Sequence, residues 1–209
     1  MRYYIDVGAY NGDLLKKVIN CFPPFYKYIC FEPVPQLCEK ISNKFKYNDK
    51  VFVINKAVST VNQEKIKFYI CYCKEEGGYE GKGTEIGTGS TLFEKKETAN
   101  IDKNIFLYIS TINFSQYIID SFEKDDYIIL KMDVEGKEYD ILEHMIETGA
   151  IKYVNKLYCE WHVSKFKKYK KINRNRHNKL IKRLQKRGLS ITGKNDHDDL
   201  SYLIESNKI

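Results

Sequence analysis

Asp6, Glu32, Lys131, Asp133, Glu135, Glu160 and His162 are the side chains of this sequence whose types and neighbours could do chemistry. Lys131, Asp133 and Glu135 stand at alternate positions behind the apolar run Tyr127-Ile128-Ile129-Leu130. A strand that continued through them would present all three on one face. Glu160 and His162 close a second run, Leu157-Tyr158-Cys159, with Trp161 between them turned toward the core. Carboxylates, an imidazole and an ammonium group are the residue types of general acid–base work and of hard-metal ligation. Asp6 and Glu32 read differently, because each sits at the end of a short apolar run next to a turn.

The N-terminal stretch says what that turn is for. Tyr3-Tyr4-Ile5-Asp6-Val7 reads as a buried strand, Gly8-Ala9-Tyr10-Asn11-Gly12 as a glycine-bearing turn, and Asp13-Leu14-Leu15-Lys16-Lys17-Val18-Ile19 as a helix. Twenty residues beyond Gly12 a second strand, Tyr28-Ile29-Cys30-Phe31, ends on Glu32. Strand, turn, helix, strand and acid form the first half of a nucleotide-binding βαβ unit, in which the acid accepts hydrogen bonds from ribose hydroxyls. The spacing G-x-x-x-G is not the pattern that suits a pyrophosphate. A ligand with a ribose and no phosphates fits better, and S-adenosylmethionine is the obvious one. An ordinary parallel-sheet strand and turn is the plain alternative.

The elements that must position these residues follow in order. Pro23-Pro24 breaks the first helix, and Pro33 holds Glu32 out of the helical region while Pro35 opens the next helix. Strand three is expected over Val51–Val58, with Ile66-Lys67-Phe68-Tyr69-Ile70 alternating as a half-exposed strand beside it. Six of the twelve glycines crowd into residues 77–89. The segment 74–100 is therefore expected to be a mobile glycine-rich loop whose end, Gly87-Thr88-Gly89-Ser90-Thr91-Leu92, packs near the site. A solvated hairpin insertion is the alternative. A short helix is expected near 114–121, a buried strand at 127–130, a helix over 137–147 stopped by Gly149, and strand five over 156–162. A basic helix spans 165–187, and strands 189–192 and 200–204 close the chain. The predicted fold is α/β: a mostly parallel seven-stranded sheet with an antiparallel C-terminal edge hairpin and helices on both faces. It forms one domain over 1–209. Ligands of such sheets bind beyond the carboxyl ends of the strands, where all the polar clusters fall.

Bulk properties narrow the class. A hydrophobic content of 43% and a charged content of 30% describe a globular chain. No run approaches the roughly 18 apolar residues of a membrane span. With the first strand beginning at once, no signal peptide is expected and the protein is expected to be cytoplasmic. Cys71-x-Cys73 lacks a partner pair at zinc spacing, and the six cysteines are expected as buried thiols, not a disulfide framework. Between Lys165 and Arg187 there are twelve Lys or Arg and no Asp or Glu, which leaves −5 of the net +7 for the rest of the chain. That segment carries an apolar stripe, Phe166, Tyr169, Ile172, Leu180-Ile181 and Leu184, so it is expected to pack on the sheet with a charged solvated face. Binding of a nucleic-acid backbone, an anionic glycan or a membrane surface are its other readings.

Five motifs appear in a characteristic order: Ile5–Asp13, Phe31-Glu32-Pro33-Val34-Pro35, Ala57-Val58-Ser59, Gly89-Ser90-Thr91-Leu92 and Lys131–Glu138. Together they resemble the FkbM family of S-adenosylmethionine-dependent methyltransferases, a branch of the class I Rossmann-like enzymes. Tyr10 stands where many relatives have Asn. The resemblance implies methyl transfer to an oxygen of a small molecule or glycan, most often a sugar. It implies a cofactor site of Asp6, Gly8, Ala9, Tyr10, Asn11, Gly12, Glu32, Pro33, Lys56, Ala57, Val58, Ser90 and Asp133. Asp6 would hold the cofactor's amino-acid end through the turn, Glu32 the ribose, and Lys56-Ala57-Val58 the adenine border.

For that reaction the catalytic candidates are Lys131, Asp133, Glu135, Glu160 and His162. An alcohol attacks poorly until a base takes its proton or a metal lowers its pKa. Asp133, Glu160 and His162 could hold Mg²⁺, or equally Mn²⁺ because of the imidazole. Without metal, His162 or Asp133 is the base, and Lys131 either stabilises an alkoxide or forms a salt bridge with Asp133 or Glu135. A histidine bonded to backbone is the structural alternative for His162. An RNA methyltransferase using the basic helix, and a binding module on the same fold that has lost catalysis, are the other readings. No aromatic RNA-reading motif supports the first, and DNA is not an expected partner. Nothing in the sequence sets an oligomeric state.

Overall fold

The computed structural model describes residues 1–74, 85–92, 101–162 and 170–192. Strand β1 (Arg2–Val7) alternates Tyr3, Ile5 and Val7 toward one face of the sheet and Tyr4 and Asp6 toward the other. The chain turns through Gly8–Gly12 into α1 (Asp13–Cys21), returns as β2 (Lys27–Phe31), and passes through α2 (Pro35–Lys44) into β3 (Val51–Ile54). Pro35 occupies the first turn of α2, where its missing N–H costs nothing. Leu15, Val18 and Ile41 of these helices pack on the face that carries Tyr4, Cys30 and Ile129.

The expected third strand is two strands in two sheets. β3 stops at Ile54, and β4 (Ala57–Ser59) belongs to a separate three-stranded sheet with β5 (Gln63–Tyr69) and β8 (Phe106–Asn113). Asn55 makes the break: its side-chain amide donates to the carbonyl oxygens of Glu32 (2.9 Å) and Pro33 (3.0 Å), and the backbone leaves the main sheet behind it. β5 consequently does not lie beside β3. It pairs antiparallel with β8, an eight-residue strand that the sequence reading did not place. A short ribbon of β6 (Tyr72–Cys73) and β7 (Glu85–Ile86) precedes the segment Gly87–Leu92. The remainder of the expected glycine-rich loop, 75–84 and 93–100, lies outside the described residues.

Helix α3 (Phe114–Ser121), capped by the Asn113 side chain on the Gln116 N–H, leads to β9 (Tyr127–Met132). Helix α4 (Glu138–Thr148) ends at Gly149 in the left-handed region, as expected of that glycine. A 3₁₀ turn (Ala150–Tyr153), β10 (Val154–Cys159), α5 (Lys170–Gln185) and β11 (Ser190–Thr192) complete the described chain. Phe114, Ile118, Leu142, Met145, Leu180 and Leu184 cover the second face, against Ile5, Val7, Leu130 and Met132. The central sheet is thus α/β with helices on both faces, in the order β11-β10-β9-β1-β2-β3, and all five of its strand pairings are parallel. Its described strands number six. The second strand of the expected edge hairpin, 200–204, lies outside the described residues, as do the first residues of the expected basic helix. β9 also ends at Met132, so Asp133 and Glu135 project from a loop instead of continuing the face of Lys131.

The order reverses between β1 and β9, since β2 and β3 follow on one side and β10 and β11 on the other. The crevice at the carboxyl ends of those two strands is where a doubly wound sheet binds its ligand. Among the described residues no helix is long and apolar enough to cross a membrane.

Candidate active site

A cleft opens at that reversal point. It holds about 670 Å³ of empty space, part of it open to solvent. Gly8 and Tyr10 from the first turn, Glu32 and Pro33 from the end of β2, and Lys56, Ala57 and Val58 from the β3–β4 junction line it. Ser90, Asp133 and Glu135 reach it from the opposite side. These are most of the residues expected at a cofactor site.

Glu32 is 5% exposed and held by main-chain donors. Its Oε2 accepts the Tyr10 N–H at 2.9 Å and its Oε1 accepts the Val34 N–H at 3.0 Å. Burial pushes the Glu32 carboxyl up to about 7, against the pull of those two N–H groups and of Lys131. Its backbone is fixed as well, because Cys38 Sγ and Asn55 both donate to its carbonyl. Tyr10 reaches this position with φ +52°, an uncommon conformation for a tyrosine. Its hydroxyl donates to the Ile86 carbonyl at 2.7 Å, which draws the Gly87–Leu92 segment over the cleft.

The two glycines of the turn have separate jobs. A Cβ on Gly8, at φ +79°, would lie 1.9 Å from the carbonyl oxygen of Asp133, so Gly8 is required by the loop after β9. A Cβ on Gly12 would meet Phe45 and Ile41 at 3.1–3.3 Å, so Gly12 lets α2 close on the turn. Asn11 points toward Asp13, and the Lys44 ammonium ties the Asn11 carbonyl and Asp13 together at 2.8 and 2.6 Å. Ala9, Asn11 and Gly12 shape the turn from outside the cleft wall.

Asp6 is also behind the wall. It is fully buried and stands directly opposite Lys131 in the β1–β9 register, on the same face of the sheet. Lys131 Nζ is 3.1 Å from Asp6 Oδ1, donates to the Gly8 carbonyl at 2.7 Å, and lies 3.9 Å from Asp133 Oδ2. Burial alone would lower the Lys131 pKa, but Asp6 and Asp133 outweigh it and hold the ammonium firmly charged. Burial raises the Asp6 carboxyl, with Lys131 opposing. The salt bridge expected of Lys131 therefore has Asp6 as its principal partner.

The other catalytic candidates converge on His162, a residue with no exposed surface. Nε2 lies 3.3 Å from Glu160 Oε1, 3.5 Å from Glu135 Oε2 and 3.6 Å from Asp133 Oδ1. Nδ1 is hydrogen-bonded to Oε1 of Glu138, which is itself fully buried at the start of α4 and also accepts the Gly136 N–H at 3.2 Å. Burial would lower the His162 pKa; the surrounding Glu138, Glu135 and Glu160 reverse that and hold it well above the ordinary value. Asp133, partly exposed to the cleft, is pushed up to about 7, first by burial and with Lys131 opposing. Glu135 has φ +53°, and the Thr91 hydroxyl donates to its carbonyl at 2.9 Å. Backbone strain in a residue other than glycine is typical of a functional loop.

Oxygens of Asp133 and Glu135 and a nitrogen of His162 all lie within 4.8 Å of one another, a spacing that fits a metal ion. Glu135 thus stands with Asp133 and His162, and the expected Glu160, a more exposed acid, lies 3.3 Å from the same imidazole nitrogen. Glu138 was outside the expected site, although it closes the Lys131–Glu138 motif two residues after Gly136. Phe68, Val34 and Leu37, which add apolar surface to the cleft, carried no local signal.

No functionally curated protein matches the chain. A solved structure, methyltransferase FkbM from Methylobacillus flagellatus KT, is similar with a TM-score of 0.41 and 13% identity, over 71% of this chain and 30% of that one. The chain accordingly spans less than a third of that protein's length. The family model described as the methyltransferase FkbM domain matches residues 6–191, from the end of β1 into β11. The chain belongs to the FkbM methyltransferase family.

Proposed function

We propose that the cleft binds S-adenosylmethionine and that the protein transfers its methyl group to a hydroxyl oxygen of a small molecule or glycan, with a sugar the best-suited acceptor. The observation that carries this reading is the pairing, in one cleft, of a nucleoside-type acid with a cluster able to receive a hydroxyl. Each Glu32 oxygen accepts one backbone N–H, and a second lone pair on each remains for the vicinal hydroxyls of a ribose. Val34, Leu37, Ala57 and Phe68 offer apolar walls for a purine. No anion-type glycine pattern is present in the turn, which suits a ligand without phosphates.

S-adenosylmethionine, when bound, supplies an electrophilic methyl group on a sulfonium. The chain's own residues do the rest. Asp133 and Glu135 present carboxylate oxygens to the cleft, where they complement a cationic ligand and accept a hydrogen bond from the acceptor hydroxyl. Lys131 clamps the Gly8 carbonyl and Asp133 into one arrangement, which serves the alignment that an in-line displacement needs. A seventh strand at 200–204, closing an edge hairpin, belongs to the same class I reading.

Two measurements test it. Label from methyl-labelled S-adenosylmethionine is expected in a carbohydrate acceptor, and calorimetry with S-adenosylhomocysteine is expected to show binding by the parent that Glu32→Ala loses. Absence of binding by the parent would favour a module without catalysis. A second reading, RNA methylation, draws on the exposed Arg174, Lys179, Lys182, Arg183 and Lys186 of α5 and the residue after it. It predicts steeply salt-dependent RNA binding that charge reversal of Lys179, Lys182 and Lys186 removes.

A further inference from the structure

We propose that Asp133, Glu135 and His162 form a divalent-cation site at the acceptor end of the cleft, suited to Mn²⁺ and next to Mg²⁺. The three donor atoms lie within 4.8 Å of one another, with Nε2 of His162 at 3.5–3.6 Å from an oxygen of each acid. Adjacent ligands on an octahedron with bonds of roughly 2.1 Å are about 3 Å apart. The imidazole nitrogen is thus within about half an ångström of that spacing from each acid, and the two carboxylates have to draw closer to each other to share the ion.

The side chain that points to a ligand is the histidine. His162 is completely buried, and its Nε2 makes no hydrogen bond of ordinary geometry among the described residues. Asp133 Oδ1, which faces it, is in the same position. The far nitrogen is already committed, because Glu138 holds Nδ1 and is held in turn by the Gly136 N–H. A carboxylate on one imidazole nitrogen with the other aimed at hard donors is the arrangement that orients metal-ligating histidines. The left-handed backbone of Glu135, at φ +53°, is what turns its carboxylate toward the imidazole side of the loop. Two oxygens and one nitrogen favour Mn²⁺ over a strictly oxygen-seeking ion. Asp133 and Glu135 also line the cleft, so an ion between them is placed to lower the pKa of an acceptor hydroxyl. That role rests on the methyltransferase reading; the binding of the ion does not.

The test is titration of Mn²⁺ into the folded protein, followed by electron paramagnetic resonance of the free ion and by calorimetry. S-adenosylhomocysteine binding is measured on the same samples. One ion per chain is expected. Glu138→Gln keeps all three donors but loses the carboxylate behind His162, and a 10–100-fold weaker affinity is expected. Glu135→Gln, which removes a donor, is expected to weaken binding at least as much, and it decides the matter if Glu138→Gln fails to fold. Absence of saturable Mn²⁺ binding by the parent, or binding that neither substitution alters, overturns the proposal and identifies the cluster as an imidazolium shared among carboxylates. If S-adenosylhomocysteine still binds in that case, the methyltransferase reading survives. Mn²⁺ binding without S-adenosylhomocysteine binding has the opposite meaning.

Discussion

The two ends of the cleft hold their acids by different means. At the end proposed for the nucleoside, Glu32 is fixed by main-chain N–H groups from Tyr10 and Val34, and among the described residues no cationic side chain is paired with it. At the other end, Asp133, Glu135, Glu138 and Glu160 surround an imidazole, and Lys131 bridges Asp6 and the Gly8 carbonyl. Main-chain donors cannot leave or change charge, so the first arrangement favours a constant ligand. Side-chain charges respond to protons, ions and one another, so the second can change state during a reaction. On the proposed reading, the difference separates recognition from chemistry within one crevice.

The largest effect that would sharpen this contrast lies in the buried ion pair. Lys131→Met leaves Asp6 charged and fully buried without its cation, and a loss of about 3–5 kcal/mol in urea denaturation is expected. The double variant with Asp6→Asn should recover most of that loss; if it does not, Lys131 acts mainly through Gly8 and Asp133. Next comes the nucleoside end. Glu32→Gln keeps the shape but loses the charge and one acceptor, and a loss of about 1.5–3 kcal/mol in S-adenosylhomocysteine affinity is expected by calorimetry. Unchanged affinity would break the assignment of recognition to that end.

A pH effect should follow, each unit of pKa difference between the folded and unfolded chain being worth about 1.4 kcal/mol before solvent screening. Burial holds both Glu32 and Asp133 near 7, above their ordinary values of 4.5 and 3.8. Between those values the native protein keeps protons that the unfolded chain has released, so stability is expected to fall as pH rises from about 4.5 to 7. The raised His162 works in the same direction above its ordinary 6.5. Urea midpoints of the ligand-free protein across pH 5–8 check this, and Glu32→Gln should flatten the slope. A rise in stability over that range would refute the burial argument for both acids. The smallest effect belongs to Tyr10→Phe, which removes one hydrogen bond to the Ile86 carbonyl. About 1 kcal/mol of stability is expected to go with it, with S-adenosylhomocysteine affinity nearly kept, because the backbone N–H on Glu32 remains.

What could be read from the sequence was local. Pro35 opens a helix, Gly149 closes one and Glu32 ends a strand, and each of these depends on backbone restrictions that act within a few residues. What could not be read was long-range. The alternation of residues 51–58 is the same whether the strand stays in one sheet or splits at Asn55, because the partners of that amide come from β2. Asp6 and Lys131 are 125 positions apart and become neighbours only through the β1–β9 register. The left-handed turn at Glu135 was hidden for another reason: Gly136 alongside it is the residue that usually signals such a conformation. Glu138 looked like an ordinary first-turn acid, and its hold on His162 depends on where β10 delivers the chain.

The missing side chain of Gly8 has a consequence for how the reaction is measured out. With its backbone pressed against the Asp133 carbonyl, and the Asp133 N–H bonded to the Val7 carbonyl, the first turn and the loop after β9 form one gauge of fixed length. On the proposed reading, the gap that a methyl group has to cross would then be set when the sheet folds, before any substrate arrives. Acceptors of different size would have to be accommodated elsewhere, and Gly8→Ala would miscalibrate the distance for all of them alike.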